Sequence, residues 1–515
     1  MSRLNRLLRP RSLAFIGGAT AELAIDASRS FGFSGDMWAV NRGRELRGLP
    51  TFASVDELPA VDAAFVGVGR DATVEVVRQL AAAGTGAAIC HASGFAETGE
   101  AGAALQTELV AAAAGMPIVG PNCYGTLSAL TGAALWPDVH GLARCERGTA
   151  LLSQSGNIAV SLTMQRRGLD IAWVMTLGNQ VDLGISEAFE TMVAEEAVTG
   201  IGLCIEALDD IERFTEAADA ARRRGLPVAA LKLGVSETAG AIAVTHTASL
   251  VGDDAAYDAL FRRLDIRRVH TVPELLDTLA VLCTLGPLRG PRLMSLSCSG
   301  GEAALVADRS RGLGLSFPTF APDHADRVAS TLDGRVAVTN PLDYHTFIWG
   351  DEARLTGCFK AALGADGPQS TQAPFDAALL VIDFPADGLD RSRWWPTLDA
   401  WGLHTYLDRG AGGFWQGFAP APQFFSTPDQ GDPVSVPDEE GPSTTAVPPQ
   451  FSFLAHHALR KVACTCLDVA ILDLECCWTL VIGMVNIAVD GVKLHRPLEF
   501  HLAPIGLRAG TAYRV

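Results

Sequence analysis

One pattern recurs from residue 11 onward: a short, nearly continuous apolar run, a turn of Gly, Ser or Asn, then an Ala-rich stretch. Apolar strands alternating with helices indicate a parallel sheet covered on both faces. The first series reads SLAFIG (12–17), DMWAVN (36–41), DAAFVGVG (62–69), GAAICHASG (86–94) and MPIVGPN (116–122), with helices predicted over 71–83 and 99–114. It predicts a Rossmann-like domain over residues 1–140. A short basic helix leads into its first strand, without the long apolar core of a secretory signal.

A second series starts near residue 148, with TALLSQSGN (149–157), IAWVMTLGN (171–179), GIGLCIEAL (200–208), LPVAALKLG (226–234) and a weaker IRRVHTV (266–272). It predicts a second doubly wound α/β domain over 141–288. PRLMSLSCSGG (291–301), a helix over 302–313, a loop and helix over 318–332, and DAALLVIDF (376–384) predict a third, incomplete unit over 289–395.

The pattern stops in the tail, 396–515. Eight prolines fall within 419–450, a density that excludes a helix or a central strand there. Two readings of the tail stand side by side. It is a disordered or out-of-frame segment, or it is a linker with a small unrelated module.

Length and charge narrow the classes. At roughly 100–200 residues per domain, 515 residues suit several domains. A net charge of −18 argues against nucleic-acid binding. The most apolar late run, Cys476 to Val485, is too short to span a bilayer. Eleven cysteines show no metal-ligand spacing, so free thiols in a reducing, cytoplasmic setting are expected.

Ligands of open α/β sheets sit at the carboxyl ends of the strands, so the turns there are the candidate sites. IGGAT (16–20) can offer backbone N–H groups of Gly17 and Gly18 to a phosphate, but it lacks the full dinucleotide fingerprint. Asn41 and Arg42 end the next strand, where a ribose or 3′-phosphate would lie. SGFAETG (93–99) and GPNCYG (120–125) are placed to line the same cleft. SQSGN (153–157) ends a strand and opens a helix, so hydroxyls and free N–H groups converge on a phosphate-sized site. TLGNQ places Asn179 on that rim. Glu206 ends an apolar strand and needs a partner. AVTHTASLVG (243–252) offers His246 in a small, polar loop suited to a nucleophile. Lys232, in LKLG, faces the rim as a candidate anion contact. His91 reads as packing and His345 as part of a structural loop.

In this order and at domain-scale spacing, SGFAETG, GPNCYG, SQSGN, LGN, CIEAL, LKLG, THTASLVG and NPLDYHT (340–346) resemble the NDP-forming acyl-CoA synthetases, relatives of the succinyl-CoA synthetase alpha subunit. The resemblance covers about residues 5–395. It implies a coenzyme A-binding domain followed by two flavodoxin-like ligase domains. His246 then matches the phosphorylated histidine and Glu206 the glutamate that orients it. Ser153, Gln154, Ser155 and Gly156, with Asn179, match the phosphate cradle. Gly17, Gly18, Asn41, Arg42, Gly94, Phe95, Pro121, Asn122 and Cys123 match coenzyme A contacts. ATP or ADP with Mg would enter through an ATP-grasp domain. No such pattern follows residue 395, so a beta-type partner subunit is implied, together with a small carboxylic acid substrate and an oligomeric assembly. The family's lysine after VNP is absent from VNRG, so Arg42 or Arg44 would replace it. Its VP reads Val68-Gly69, and its SHTG reads THTA. The competing expectation is a coenzyme A-binding protein without ligase activity.

Overall fold

The computed structural model describes residues 2–165, 167–236, 238–239, 253–286, 290–334, 336–364 and 375–381, and the backbone of 416–420 and 452–453. His246, Arg166 and most of the tail lie outside the described residues.

The first apolar series forms a sheet of β1 (Ser12–Gly17), β2 (Asp36–Val40), β3 (Thr51–Phe52), β4 (Ala63–Gly67), β5 (Ala88–Cys90) and β6 (Ile118–Val119). All pairings are parallel, in the order β3-β2-β1-β4-β5-β6. Its helices are α1 (Asn5–Leu8), α2 (Ala19–Ser30), α3 (Arg70–Ala82) and α4 (Glu100–Ala113). Successive strand residues feed opposite cores. Phe15, Phe65 and Ile89 pack on one side, and Ile16, Val66 and Cys90 on the other. That two-sided burial is why these strands read as unbroken apolar runs. The direction of strand addition reverses beside β1, so the ligand crevice of this topology opens at the ends of β1 and β4.

The second sheet runs β13-β12-β11-β9-β10-β7-β8. Its members are β7 (Thr126–Ser128), β8 (Ala134–Leu135), β9 (Gly148–Ser153), β10 (Ile171–Thr176), β11 (Val198–Ile205), β12 (Val228–Lys232) and β13 (Arg267–Val269). Around it lie α5 (Gly156–Met164), α6 (Ile185–Ala194), α7 (Ile211–Arg223), α8 (Asp254–Arg263) and α9 (Val272–Leu285). Capping sets several helix starts: Asp210 accepts from the Arg213 N–H at 2.9 Å, and Thr271 from the Glu274 N–H at 3.3 Å. The hairpin β7–β8 pairs antiparallel with β10. The chain therefore crosses into the second sheet near residue 126, ahead of the boundary expected at 140. These strands of three and two residues are too short to give a period.

The third sheet has β14 (Leu293–Ser297) between β15 (Leu342–Asp343) and β16 (Ala377–Leu380), all parallel. The helices are α10 (Gly300–Arg309), α11 (Pro322–Thr331) and α12 (Glu352–Leu363). The helix predicted over 302–313 thus starts and ends earlier, stopping before Gly312 and Gly314. From the tail, β17 (Gln416–Pro420) and β18 (Ser452–Phe453) extend this sheet antiparallel at its edge. Pro420 is the last residue of β17 and lies beyond the residues of that strand that pair with β18, so its missing N–H breaks no bond to the edge strand.

Arg3 ties the first two domains together, while Arg6 pairs within the first. Arg3 bridges Asp182 at 3.0 Å and Glu187 at 2.7 Å, while Arg6 meets Asp62 at 2.8 Å. The Arg3 guanidinium holds the Glu187 carboxyl below the usual carboxylate range. Among the described residues no helix is long and apolar enough to cross a membrane, and no cluster of three metal-ligating side chains occurs.

Candidate functional site

The first group of candidate residues lies at the ends of β1, β2, β4 and β5. Gly17 has φ of 140°, and a Cβ there would meet the Gly67 carbonyl oxygen at 2.5 Å. Only glycine lets the two strand ends approach this closely. Gly18 precedes α2 without a side-chain cap, which leaves the first N–H groups of that helix for an anion.

Asn41 has a structural task beside its expected one. Its amide donates to the Gly17 carbonyl at 2.7 Å, and its oxygen accepts from the Gly43 and Arg44 N–H groups at 2.8 and 3.1 Å. Arg44 is held by Glu22 at 2.5 Å. Arg42 and Arg44 are both exposed, and only Arg44 is paired with Glu22.

The SGFAETG and GPNCYG loops lie together. The Asn122 N–H donates to the Ala92 carbonyl at 2.9 Å. Gly94 takes φ of 101° under the Arg70 side chain, whose guanidinium donates to the Gly94 carbonyl at 2.8 Å. Two expected contacts need correction. Phe95 is fully buried, so its ring belongs to the core. The Cys123 thiol is buried too, 3.6 Å from the Cys90 carbonyl, and burial pushes it up to about 12. Only the backbone of these two residues can line the cleft.

Asn179 also departs from its expected place. Its amide donates to Glu97 Oε2 at 2.5 Å and Gln106 Oε1 at 3.3 Å, and its oxygen accepts from Asn122 at 3.4 Å. Here it bridges the second domain to the loops of the first. Glu97 also accepts from the Gly94 N–H at 2.6 Å. Burial opposes its ionisation, yet this N–H and the Asn179 amide hold its carboxyl below the ordinary range.

The second group gathers at the ends of β9 and β11. Ser153 and Gln154 are buried. The Ser153 hydroxyl donates to the Ser155 carbonyl at 2.6 Å and accepts from the Ser155 N–H at 3.1 Å, which folds the turn back on itself. Gln154 then reaches across to β11. Its oxygen accepts from the Glu206 and Ala207 N–H groups, and its amide donates to the Ala207 carbonyl at 2.6 Å. The turn that opens α5 and the backbone carrying Glu206 are thereby fixed on one rim. Ser155 stands before α5 and makes no side-chain cap, so its hydroxyl and the first N–H groups of α5 remain available.

Sequence reasoning passed over Tyr124 and Gln106. The Tyr124 hydroxyl bonds Asn157 Oδ1 at 3.0 Å, and a Cβ on Gly156 would overlap the Tyr124 ring. An aromatic residue within GPNCYG was the available signal. Gln106, in mid-helix, gave none.

Two family models match the chain: "CoA binding domain" over residues 18–129, and "Succinyl-CoA ligase like flavodoxin domain" over residues 146–282. The chain is 33% identical over 355 residues to a trans-feruloyl-CoA synthase of an unknown prokaryotic organism, covering 66% of this chain and 50% of that protein. It is 30% identical over 350 residues to the alpha subunit of ADP-forming acetate–CoA ligase II of Pyrococcus furiosus, covering 66% and 76%. It spans about half the length of several such relatives, including the ADP-forming acetate–CoA ligase I of Archaeoglobus fulgidus. In fold it is similar to the dinucleotide forming acetyl-coenzyme A synthetase 1 of Ca. Korarchaeum cryptofilum in complex with phosphate and ADP. The TM-score is 0.66 at 24% identity, over 78% of this chain and 86% of that one.

Proposed function

The chain belongs to the family of NDP-forming acyl-CoA synthetases, and from that premise we propose that it is the alpha-type component of such a ligase. It joins a carboxylic acid to coenzyme A, with ATP-grasp chemistry supplied by a partner subunit or by further sequence.

The observation that carries this reading is the Gln154 bridge, which sets the α5 start and Glu206 on one rim. His246 takes the phosphoryl group from ATP on a ring nitrogen, releasing ADP. The role of Glu206 is to stabilise the imidazolium cation that forms. The N–H groups at the α5 start and the Ser155 hydroxyl hold the phosphoryl oxygens. Attack by the substrate carboxylate breaks the N–P bond and forms an acyl phosphate. The thiol of coenzyme A then attacks the acyl carbon, releasing inorganic phosphate.

The first-domain cleft fits an anionic, extended ligand. Uncapped N–H groups at α2, the close approach of Gly17 and Gly67, and exposed Arg42 all lie along it. These groups would hold coenzyme A, which supplies the thiol.

Two measurements test the reading. Calorimetry should show binding of coenzyme A and not of NAD; the reverse result would sink it. With a cognate acyl-CoA, phosphate, ADP and an ATP-grasp partner, the protein should acquire acid-labile phosphate that His246→Ala abolishes. Labelling that survives this substitution moves the nucleophile elsewhere. Coenzyme A binding without any labelling selects the non-catalytic alternative.

A further inference from the structure

Four lysines stand among the forty basic side chains of this chain, and one of them is buried on the phosphoryl rim. Lys232 ends β12, in register with Ile205 and so beside the strand end that carries Glu206. It is 5% exposed. Its ammonium donates to the Leu233 carbonyl and sits 4.7 Å from the centre of the Tyr257 ring. The Tyr257 hydroxyl is itself tied down, accepting from the Leu208 N–H at 3.0 Å.

Among the described residues no carboxylate lies within ion-pair distance of this ammonium. The charged groups around it are Glu206 after β11, Asp254 at the start of α8 and Arg268 on β13. Asp254 is engaged by Arg268 at 2.5 Å. Burial lowers the lysine to about 8, outweighing the opposing pull of Asp254 and Glu206. A buried cation without its own counter-ion is costly unless an anion joins it. An anion arriving at the rim would offset that cost and draw a proton onto the amine.

We infer that Lys232 is a positioning residue of the phosphoryl site, the buried cation that balances the Glu206 side of the rim when a phosphoryl group is seated there. This rests on the reading of the rim as a phosphoryl site. Lysine suits the role because its charge can be lost and regained, whereas arginine stays charged at every working pH.

The test uses the full chain with inorganic phosphate as the probe. Carbon-13 labelling of lysine yields four side-chain signals, assigned by single Lys→Arg substitutions. The Lys232 midpoint should rise from about 8 by about one pH unit at saturating phosphate. Calorimetry at pH 7 should show Lys232→Met binding phosphate about tenfold more weakly. Lys232→Arg should bind within about threefold of the parent and lose the fall in affinity between pH 7 and 9. Hydrogen exchange on both variants separates a folding defect from a binding one, and rescue by arginine would not follow from a merely structural role. Phosphate binding with an unmoved Lys232 midpoint overturns the inference and leaves the phosphoryl reading standing. Absence of phosphate binding to the parent protein overturns both.

Discussion

In the second domain Ser155 precedes α5 with its hydroxyl making no cap, while the preceding Gln154 is bound to the far strand end at Ala207. In the third domain the text is nearly the same, SCSGG against SQSGN, and the strand again runs through two serines into a helix. There Ser299 accepts from the Glu302 N–H at 3.3 Å as a side-chain cap, and the Cys298 thiol contacts the Glu302 carboxylate at 3.6 Å. Both first serines fold their turns alike: Ser153 donates to the Ser155 carbonyl at 2.6 Å and Ser297 to the Ser299 carbonyl at 3.2 Å. What differs is the use of the second serine. In the third domain its hydroxyl serves the helix. In the second it caps nothing, and the turn is steadied instead by Gln154.

The largest expected contrast lies at the residue between the two serines. Gln154→Ala removes the acceptor of the Glu206 and Ala207 N–H groups and the donor to the Ala207 carbonyl. Leaving such groups unpaired in a largely buried site should cost about 3 kcal/mol. Cys298→Ala removes a small buried thiol and its weak contact with Glu302, and should cost about 1 kcal/mol. Hydrogen exchange at the amides of β11 and β14 resolves each domain separately. Equal losses at the two positions would erase the distinction.

A smaller contrast lies at the first helical residue. A Cβ at Gly156 would overlap the Tyr124 ring, which is fixed by Asn157 and lies 5.2 Å from Trp136. A Cβ at Gly300 would meet only Asp343 Oδ2, at 3.5 Å. Alanine favours a helix over glycine by about 1 kcal/mol, and overpacking costs about 1–3 kcal/mol. Gly300→Ala should therefore slow exchange in α10. Gly156→Ala should speed exchange in α5 by the equivalent of about 1–2 kcal/mol, and weaken phosphate binding. Protection of α5 by Gly156→Ala would mean that Tyr124 does not constrain the helix start.

These contrasts also mark where sequence reading reached its limit. The three sheets were legible because strands such as Ala14-Phe15-Ile16 are buried on both faces, which leaves an unbroken apolar run. The hairpin at 126–135 and the two-residue β3 and β15 escaped because so few residues carry no period. The Ser153–Gly156 turn and Glu206 were legible because strand-end position follows from the apolar run alone. Side-chain direction does not. Asn179, Phe95 and Cys123 stand in the expected loops, yet two turn into the core and one reaches Glu97, 82 residues away in the chain. Asn122, at φ of 58°, shows how one left-handed residue redirects such a loop. His246 lies outside the described residues, so its place beside Glu206 rests on the family resemblance.

The smallest expected effect discriminates best between the two turns. Ser299→Ala deletes the side-chain cap of α10, a loss worth about 1 kcal/mol. It should appear as faster exchange in the first turn of that helix, with phosphate binding to the chain unchanged. Ser155→Ala deletes a hydroxyl that caps nothing, so α5 should lose no more than a few tenths of a kcal/mol. If that hydroxyl holds a phosphoryl oxygen, the same substitution should weaken phosphate binding by about three- to tenfold, the worth of one net hydrogen bond of about 1 kcal/mol. The two serines should therefore exchange roles, one variant losing helix stability and the other ligand affinity. Calorimetry with inorganic phosphate and hydrogen exchange on the same two variants measure both quantities. If Ser155→Ala destabilised α5 as much as Ser299→Ala destabilises α10, with phosphate affinity unchanged, the second serine would be a cap in both domains. The phosphoryl group would then have to be held by the N–H groups of α5 alone.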